Sequence, residues 1–548
     1  MRKVLETYFN KSSYFPNGGN EFPIENGIEG DTPGTTFTNP ENFIIRRQGM
    51  INFKKWFVVF TAFFLTVPSV SLAGSIKDGS SGNPGEWYVG TTPSSIAANS
   101  HPILFVHGLN SSSDTWYENN NMYATAYQNG YETAFIDLNA GKSMWDNGAL
   151  LAQKVQEVYN YFGEKVVVVA HSKGGVDTQS ALVHYGADPY IERVITLSSP
   201  HRGSELADLA YSSWAGWLAG IIGSKNDGTY SLQTGYMDYY RSVTDSHANV
   251  YNTPIYTLGG TKWGSFGSAL YWGGLYLSAY GSNDGAVTVQ SSRLPYAAEI
   301  SVGRWNHTTI KEGSSTFNLF KNYLNEETFY SASAASFETA AVTEGAETPA
   351  GHYITGGEYA GTHKESVAVE KGVDSVTFDW ISDKKDTSLA LASPSKKTYA
   401  DFKVTADDTE FFKGAYHHTL TIEKPEAGKW TLETKADKKE RYLLNTTFES
   451  PVDAMLSGEV EGNQMKVKGN NKLNVKTDMT VEYYDKNGKL KEKKLKAKKN
   501  GNDFKIPSLG EGVYNMTIDV EGTYEGTPLE RTLIQTVYID DKGKLYAP

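Results

Sequence analysis

The chain has 548 residues, well past the ~250–300 at which a single core stops growing, so more than one domain is expected. Hydrophobic residues make up 39% and charged residues 21%, a globular balance; 51 Lys and Arg against 63 Asp and Glu leave a net charge of −12, without the basic face a nucleic-acid partner needs. Cysteine is absent, which excludes disulfides, thiolate metal sites and a cysteine nucleophile.

Residues 1–49 are rich in Gly, Asn, Pro and Thr and carry no period; they are expected to be a disordered or mis-called extension ahead of a start at Met50. Residues 50–73 read as a signal peptide. Lys54 and Lys55 precede an apolar run from Trp56 to Val67, and Pro68 and Ser71-Leu72-Ala73 supply a small-residue cleavage site. The run is shorter than the ~20 residues of a membrane span, so a secreted, extracellular chain starting near Gly74 is expected.

Residues 74–330 alternate short apolar runs with helical periods. Strands are expected at Ile103–Val106, Tyr131–Asp137, Val166–Val169, Ile191–Leu197, Pro254–Leu258 and Ala297–Val302. Leu151, Val155, Val158, Tyr159 and Phe162 recur at helical spacing, Gly174–His184 reads as a helix, and Thr316–Leu324 as a closing helix. Such alternation predicts an α/β fold with a mostly parallel sheet covered on both faces. Residues 331–348 are Ala, Ser, Glu and Thr, the composition of a linker. Beyond them helical periods vanish, and two all-β, sandwich-like modules are expected at 349–450 and 451–548. Asn487-Gly488 and Asn500-Gly501 are hairpin dipeptides, and the basic run Lys489–Lys499 between them fits a charged edge strand that resists aggregation.

The run Val166 to Ala170 leads into His171-Ser172-Lys173-Gly174-Gly175, a strand, a small-x-Ser-x-Gly turn and a helix. That is the context of a nucleophile elbow, which exposes Ser172 Oγ at a helix N-terminus. A serine hydroxyl needs a base. Of His184, His201, His247 and His307, the last follows a strand in a loop at its carboxyl end, where the reacting groups of open α/β sheets gather. The acid should precede it: Asp284, in the turn Ser282-Asn283-Asp284-Gly285, is preferred to Asp177, Asp188, Asp208, Asp227, Asp238 and Asp245. Backbone N–H groups of Lys173 and of Leu109, in the loop His107-Gly108-Leu109 after the first core strand, are the expected oxyanion donors. His107 is expected to fix that loop. The segment Ser204–Gly223 is apolar nearly all round, either a buried helix or a lid that opens at a lipid surface.

Val106-His107-Gly108, Ala170-His171-Ser172-Lys173-Gly174-Gly175, Ser199-Pro200-His201-Arg202-Gly203-Ser204, Asn283-Asp284-Gly285 and Asn306-His307 together resemble bacterial secreted lipases and esterases of the α/β-hydrolase superfamily, over about Pro102 to Leu324. Alanine at 170 resembles the elbow variant of Gram-positive lipases. The resemblance implies a catalytic domain over 74–330 that cleaves carboxylic esters of lipids, as a triacylglycerol lipase or carboxylesterase, with Ser172, Asp284 and His307 as its triad and no cofactor. Several relatives hold calcium through an Asp two residues past the histidine; Thr309 stands there, so no metal is expected. The alternatives are an extracellular polyester depolymerase on the same residues and a non-catalytic adhesion protein on a hydrolase scaffold. The tail resembles, loosely, modules that follow catalytic domains in secreted bacterial enzymes; from about Thr348 it is expected to be dispensable for chemistry and to bind an insoluble substrate or cell surface.

Overall fold

Ile103–Val106 (β2), Thr133–Ile136 (β3), Val166–His171 (β4) and Ile255–Gly260 (β6) are buried at every position, as continuous apolar runs in a doubly covered sheet must be. With Trp87–Val89 (β1), Ile191–Leu197 (β5) and Ala298–Gly303 (β7) they form one sheet in the order β1-β3-β2-β4-β5-β6-β7. All neighbours pair in parallel except β1 with β3. One face packs Leu104, Val106, Val166 and Val168 against Leu151, Val155 and Val158 of the helix Met144–Phe162. Ser143 starts that helix by accepting the Asp146 N–H, and Gly163, at φ 76°, ends it in the left-handed region. On the other face Phe105 stacks on Phe135 at 5.3 Å and meets Trp116 at 4.9 Å.

The computed structural model describes residues 82–215, 225–326, 347–407, 409–496 and 498–548. The expected extension and signal peptide, residues 216–223 of the expected lid and nearly all of the expected linker lie outside them.

The tail is antiparallel throughout. Its strands are Thr348–Pro349 (β8), His352–Val369 (β9), Ser375–Ser382 (β10), Leu389–Ala392 (β11), Thr398–Tyr399 (β12), Lys403–Ala406 (β13), Tyr416–Glu423 (β14), Gly428–Glu449 (β15), Leu456–Glu461 (β16), Gln464–Gly469 (β17), Leu473–Asp485 (β18), Leu490–Lys496 (β19), Lys498–Asn500 (β20), Asp503–Lys505 (β21), Gly512–Tyr524 (β22), Thr527–Ile539 (β23) and Leu545–Tyr546 (β24). The later part is a sandwich of two five-stranded sheets, β20-β21-β17-β16-β8 and β19-β18-β22-β23-β24, around Met465, Met479, Phe504, Met516 and Leu533. The basic strand β19 lies at a sheet edge, and both Asn-Gly pairs turn hairpins.

The earlier part is likewise all-β and antiparallel, as expected. It is one seven-stranded sheet, β12-β11-β15-β10-β14-β13 with β9 paired to β15. β15 runs for 22 residues and pairs with β9 on both sides of a register shift between Ala436 and Glu440. The shift coincides with the exposed Asp437-Lys438-Lys439, a charged stretch that reads as a strand end in sequence. Thr348–Pro349 also crosses the expected boundary, since β8 pairs with β16 of the later sandwich.

Nor does the tail stand apart. Leu206, Leu209, Tyr230, Tyr236 and Trp272 of the α/β part share one buried cluster with Ile354, Phe411, Phe412, Leu443, Tyr484 and Ile534 of the tail. Tyr239 stacks on Tyr538 at 4.4 Å. Asp208, 3% exposed, accepts from Thr234 N at 2.9 Å and from Thr536 Oγ1 at 2.9 Å, and Asn515 Nδ2 donates to its carbonyl at 2.7 Å. A buried carboxylate with that many donors is a fitted contact, because an unpaired one would be costly.

Candidate active site

Ser172 follows β4 at φ 52° and ψ −133°, a conformation an L-residue holds only when its surroundings impose it. The helix Lys173–His184 begins at the next residue. The turn is tight: a Cβ at Gly174 would lie 2.4 Å from His107 O, and one at Gly175 2.1 Å from Ser199 Oγ, so neither position accepts a side chain without movement. The small residue expected at 174 thus has its reason in the close approach of the β2 loop.

That loop carries Leu109, one of the two expected oxyanion donors. His107 Nε2 accepts the Leu138 N–H at 2.9 Å, which leaves Nδ1 to donate to Gly108 O at 2.9 Å. The ring is the loop-fixing group the sequence suggests. A Cβ at Gly108 would lie 2.7 Å from Ser172 Cβ, so the chain passes directly over the serine before Leu109. Lys173 turns its own side chain inward, 2.5 Å from Asp177, and Asn147 Nδ2 reaches the other oxygen of Asp177 at 3.0 Å. Asp177 is therefore engaged away from any histidine.

Asp284 and His307 meet. His307 Nδ1 donates to Asp284 Oδ2 at 2.7 Å, with 3% and 0% of the side chains exposed. Asp284 Oδ1 accepts from Ala286 N at 2.9 Å and Val287 N at 2.8 Å, and its carbonyl accepts the His307 N–H at 3.0 Å. The Asx turn holds the carboxylate, and the carboxylate holds the ring. Burial works against a charged His307, but the Asp284 charge and hydrogen bond, aided by Glu410, raise it above its ordinary value. His307 Nε2 is buried and has no hydrogen-bond partner among the described residues. Thr309 accepts the Asn306 N–H at 3.0 Å inside the loop.

Two neighbours were not anticipated. His171 Nε2 donates to His307 O at 2.8 Å and its ring lies 4.6 Å from that of His307. Burial and the Lys311 charge keep it well below its ordinary value, hence neutral. The other is Glu410, from the tail loop between β13 and β14. Its Oε2 lies 3.4 Å from Ser172 Oγ and 4.0 Å from His307 Nε2. Its backbone is left-handed, at φ 72°, and Asn110 Nδ2 donates to its carbonyl at 2.7 Å. Lys413 Nζ donates to Asn110 O at 2.8 Å. His171, His307 and Glu410 bring ligand-type atoms within 4.8 Å of one another, and the Glu410 carboxylate sits over the open Nε2 of His307. A residue of the tail therefore lies beside the serine and the histidine. Of the predicted residues the structure pairs Asp284 with His307, and Glu410 Oε2 of the tail lies near both His307 and Ser172.

A mostly parallel sheet with a serine elbow after β4, an acid after β6 and a histidine after β7 defines an α/β-hydrolase, of lipase or esterase type by its relatives. Residues 97–212 match the PGAP1-like alpha/beta domain family. A 130-residue stretch is 32% identical to triacylglycerol lipase 2 of Saccharomyces cerevisiae, covering 23% of this chain and 40% of the yeast protein's length. The structure of Bacillus licheniformis lipase BlEst2 in propeptide form is 41% identical, with a TM-score of 0.76, and the alignment covers 85% of this chain and 100% of that one. The chain belongs to the family of that lipase. The mature form of BlEst2 is 54% identical over 45% of this chain and 100% of that one, with a TM-score of 0.43.

Proposed function

We propose that the chain is the latent form of a secreted carboxylic ester hydrolase acting on lipid esters, with Ser172 as nucleophile, His307 as base and Asp284 as the group that orients it. The observation that carries this reading is the pair at 2.7 Å between His307 Nδ1 and Asp284, with the opposite ring nitrogen open and 4.0 Å from the Glu410 oxygen that lies 3.4 Å from Ser172 Oγ. In the open enzyme Ser172 Oγ attacks the ester carbonyl while His307 Nε2 takes its proton. The Leu109 and Lys173 N–H groups stabilise the oxyanion, His307 returns the proton to the leaving alcohol, and water then cleaves the acyl-enzyme by the same route.

The attached tail blocks this chemistry. Glu410 puts a carboxylate where an ester or acid carbonyl would stand, and Phe411 and Phe412 are buried behind it in a cluster with Leu109, Leu270, Trp272, Ala286 and Val287. A carboxylate backed by apolar groups has the form of a fatty-acid product, which supports hydrophobic acyl chains as substrate. The family relative solved in propeptide form supports reading the tail as a segment removed on activation. This reading replaces the surface-binding role expected of the tail. The test is hydrolysis of emulsified triacylglycerol and of a soluble short-chain ester before and after the 327–346 segment is cut. Cleavage should release activity, and Ser172→Ala should abolish it. Equal activity before and after cleavage would sink the latency, and faster turnover on polyester granules than on triacylglycerol would move the substrate to the depolymerase alternative.

A further inference from the structure

The Glu410 loop is tied at its base by a second buried histidine. His417, on β14, is 0% exposed; its Nδ1 lies 2.7 Å from Asp379 Oδ2 on β10 and its Nε2 lies 2.9 Å from Asp407 Oδ2. A neutral imidazole has one N–H and can serve one carboxylate. Two carboxylates on the two nitrogens require the doubly protonated ring, since otherwise a carboxylate oxygen faces a ring lone pair. The spare oxygens are also occupied. Thr419 Oγ1 donates to Asp379 Oδ1 at 2.9 Å, and Thr409 N and Oγ1 donate to Asp407 Oδ1, each at 3.0 Å.

Those bonds fix the plug. Asp407 N donates to Ala415 O at 2.9 Å and closes the loop, and Thr409, held by Asp407, immediately precedes Glu410. The charged groups that face the ring are Asp379 from β10 and Asp407 from the loop. The hydrolase helix Ala269–Ser278 contributes the uncharged Trp272, whose ring lies 4.8 Å from His417 and 5.6 Å from Phe412. The indole therefore contacts both clasp and plug, and an aromatic ring beside an imidazolium favours its charge.

We propose that Asp379, His417 and Asp407 form a proton-held clasp that keeps Glu410 on Ser172, so that deprotonating His417 opens the latent site. The proposal rests on the latency argued above. Burial opposes the charge on His417, but the two carboxylates outweigh it and push the ring up to about 10. A raised histidine contributes its stabilisation fully below its ordinary value of ~6.5 and loses it as pH rises through the folded value, so the clasp weakens toward pH 10. Asp407 suffers first, because a neutral ring keeps its one N–H for the closer Asp379.

The test measures covalent labelling of Ser172 in the full, uncut chain by a small fluorophosphonate, with thermal melting as the folding control. Wild type should label slowly at pH 7, with a step in rate toward pH 10. His417→Gln should label about tenfold faster at pH 7 and lack the step, the size expected if the open fraction rises tenfold. Asp407→Asn removes one carboxylate and lets an amide donate to a neutral ring, so it should stay slow and also lack the step; this arm holds even if His417→Gln fails to fold. Glu410→Ala separates the two readings. If it labels no faster than wild type, the latency itself is wrong. If it labels faster while the wild-type and Asp407→Asn pH profiles coincide, the plug stands and the clasp is overturned.

Discussion

The molecule buries two histidine–aspartate arrangements at the same 2.7 Å, and they do opposite things. His307 spends one nitrogen on Asp284 and keeps the other without a hydrogen bond among the described residues. His417 spends both nitrogens on carboxylates. A ring with one open nitrogen can accept and return a proton, whereas a ring with two charged partners is a cation in a lock. Burial and proximity to an acid therefore do not by themselves mark a catalytic histidine; the second nitrogen must also be open and near a nucleophile.

The comparison is broken most sharply by removing each ring in turn. In the cut enzyme, His307→Ala or Asp284→Asn should lower kcat by about 10⁴-fold, since the base or its orientation is lost. Either variant keeping turnover within tenfold of wild type would remove His307 from its role. His417→Ala should act elsewhere. It leaves two buried carboxylates without a cation, and should cost the uncut chain roughly 3–5 kcal/mol in chemical denaturation while leaving kcat of the cut enzyme unchanged. Unaltered denaturation would mean that the two carboxylates tolerate each other without the ring.

A milder change sharpens the contrast through pH. The base must be neutral, and His307 in the uncut chain is raised above ~6.5, so labelling of Ser172 should climb with pH through a midpoint above that value. Glu410 contributes to the rise, so Glu410→Gln should move the midpoint down. A midpoint that moved up, or stayed in place, would show that Glu410 does not sense the His307 charge. The smallest effect is expected at His171. His171→Phe keeps the ring contact and loses the bond to His307 O, worth about 1 kcal/mol or roughly fivefold in kcat. A loss beyond a hundredfold would make His171 part of the proton path rather than a support.

The site of the α/β part was open to sequence reasoning because its chemistry is local. Val166 to Ala170 before Ser172, and Gly174 and Gly175 after it, record a strand and the close approach of the β2 loop. Asp284 stands in an Asx turn and His307 after β7, each with its own short-range signature. His171 escaped notice because its role is a single bond to a backbone carbonyl 136 positions away. In the tail the Asn-Gly hairpins are legible, but the 22-residue length of β15 is not, since Asp437-Lys438-Lys439 interrupts the alternation where the strand only shifts register.

What the sequence determined by itself is the class of fold, the serine turn after β4 and the choice of Asp284 and His307 as a candidate pair, all carried by residue types at fixed spacing from a strand end. What only the tertiary structure decided is that the tail sits on the chemistry. Glu410 is an ordinary glutamate in a polar stretch, and nothing near it announces a site. It reaches Ser172 because Asp407 and His417 tie its loop, Trp272 packs against that tie, and a shared apolar cluster docks the tail on the hydrolase helices. Each of these contacts joins residues far apart in the chain, and complementarity of that kind exists only once both surfaces are folded.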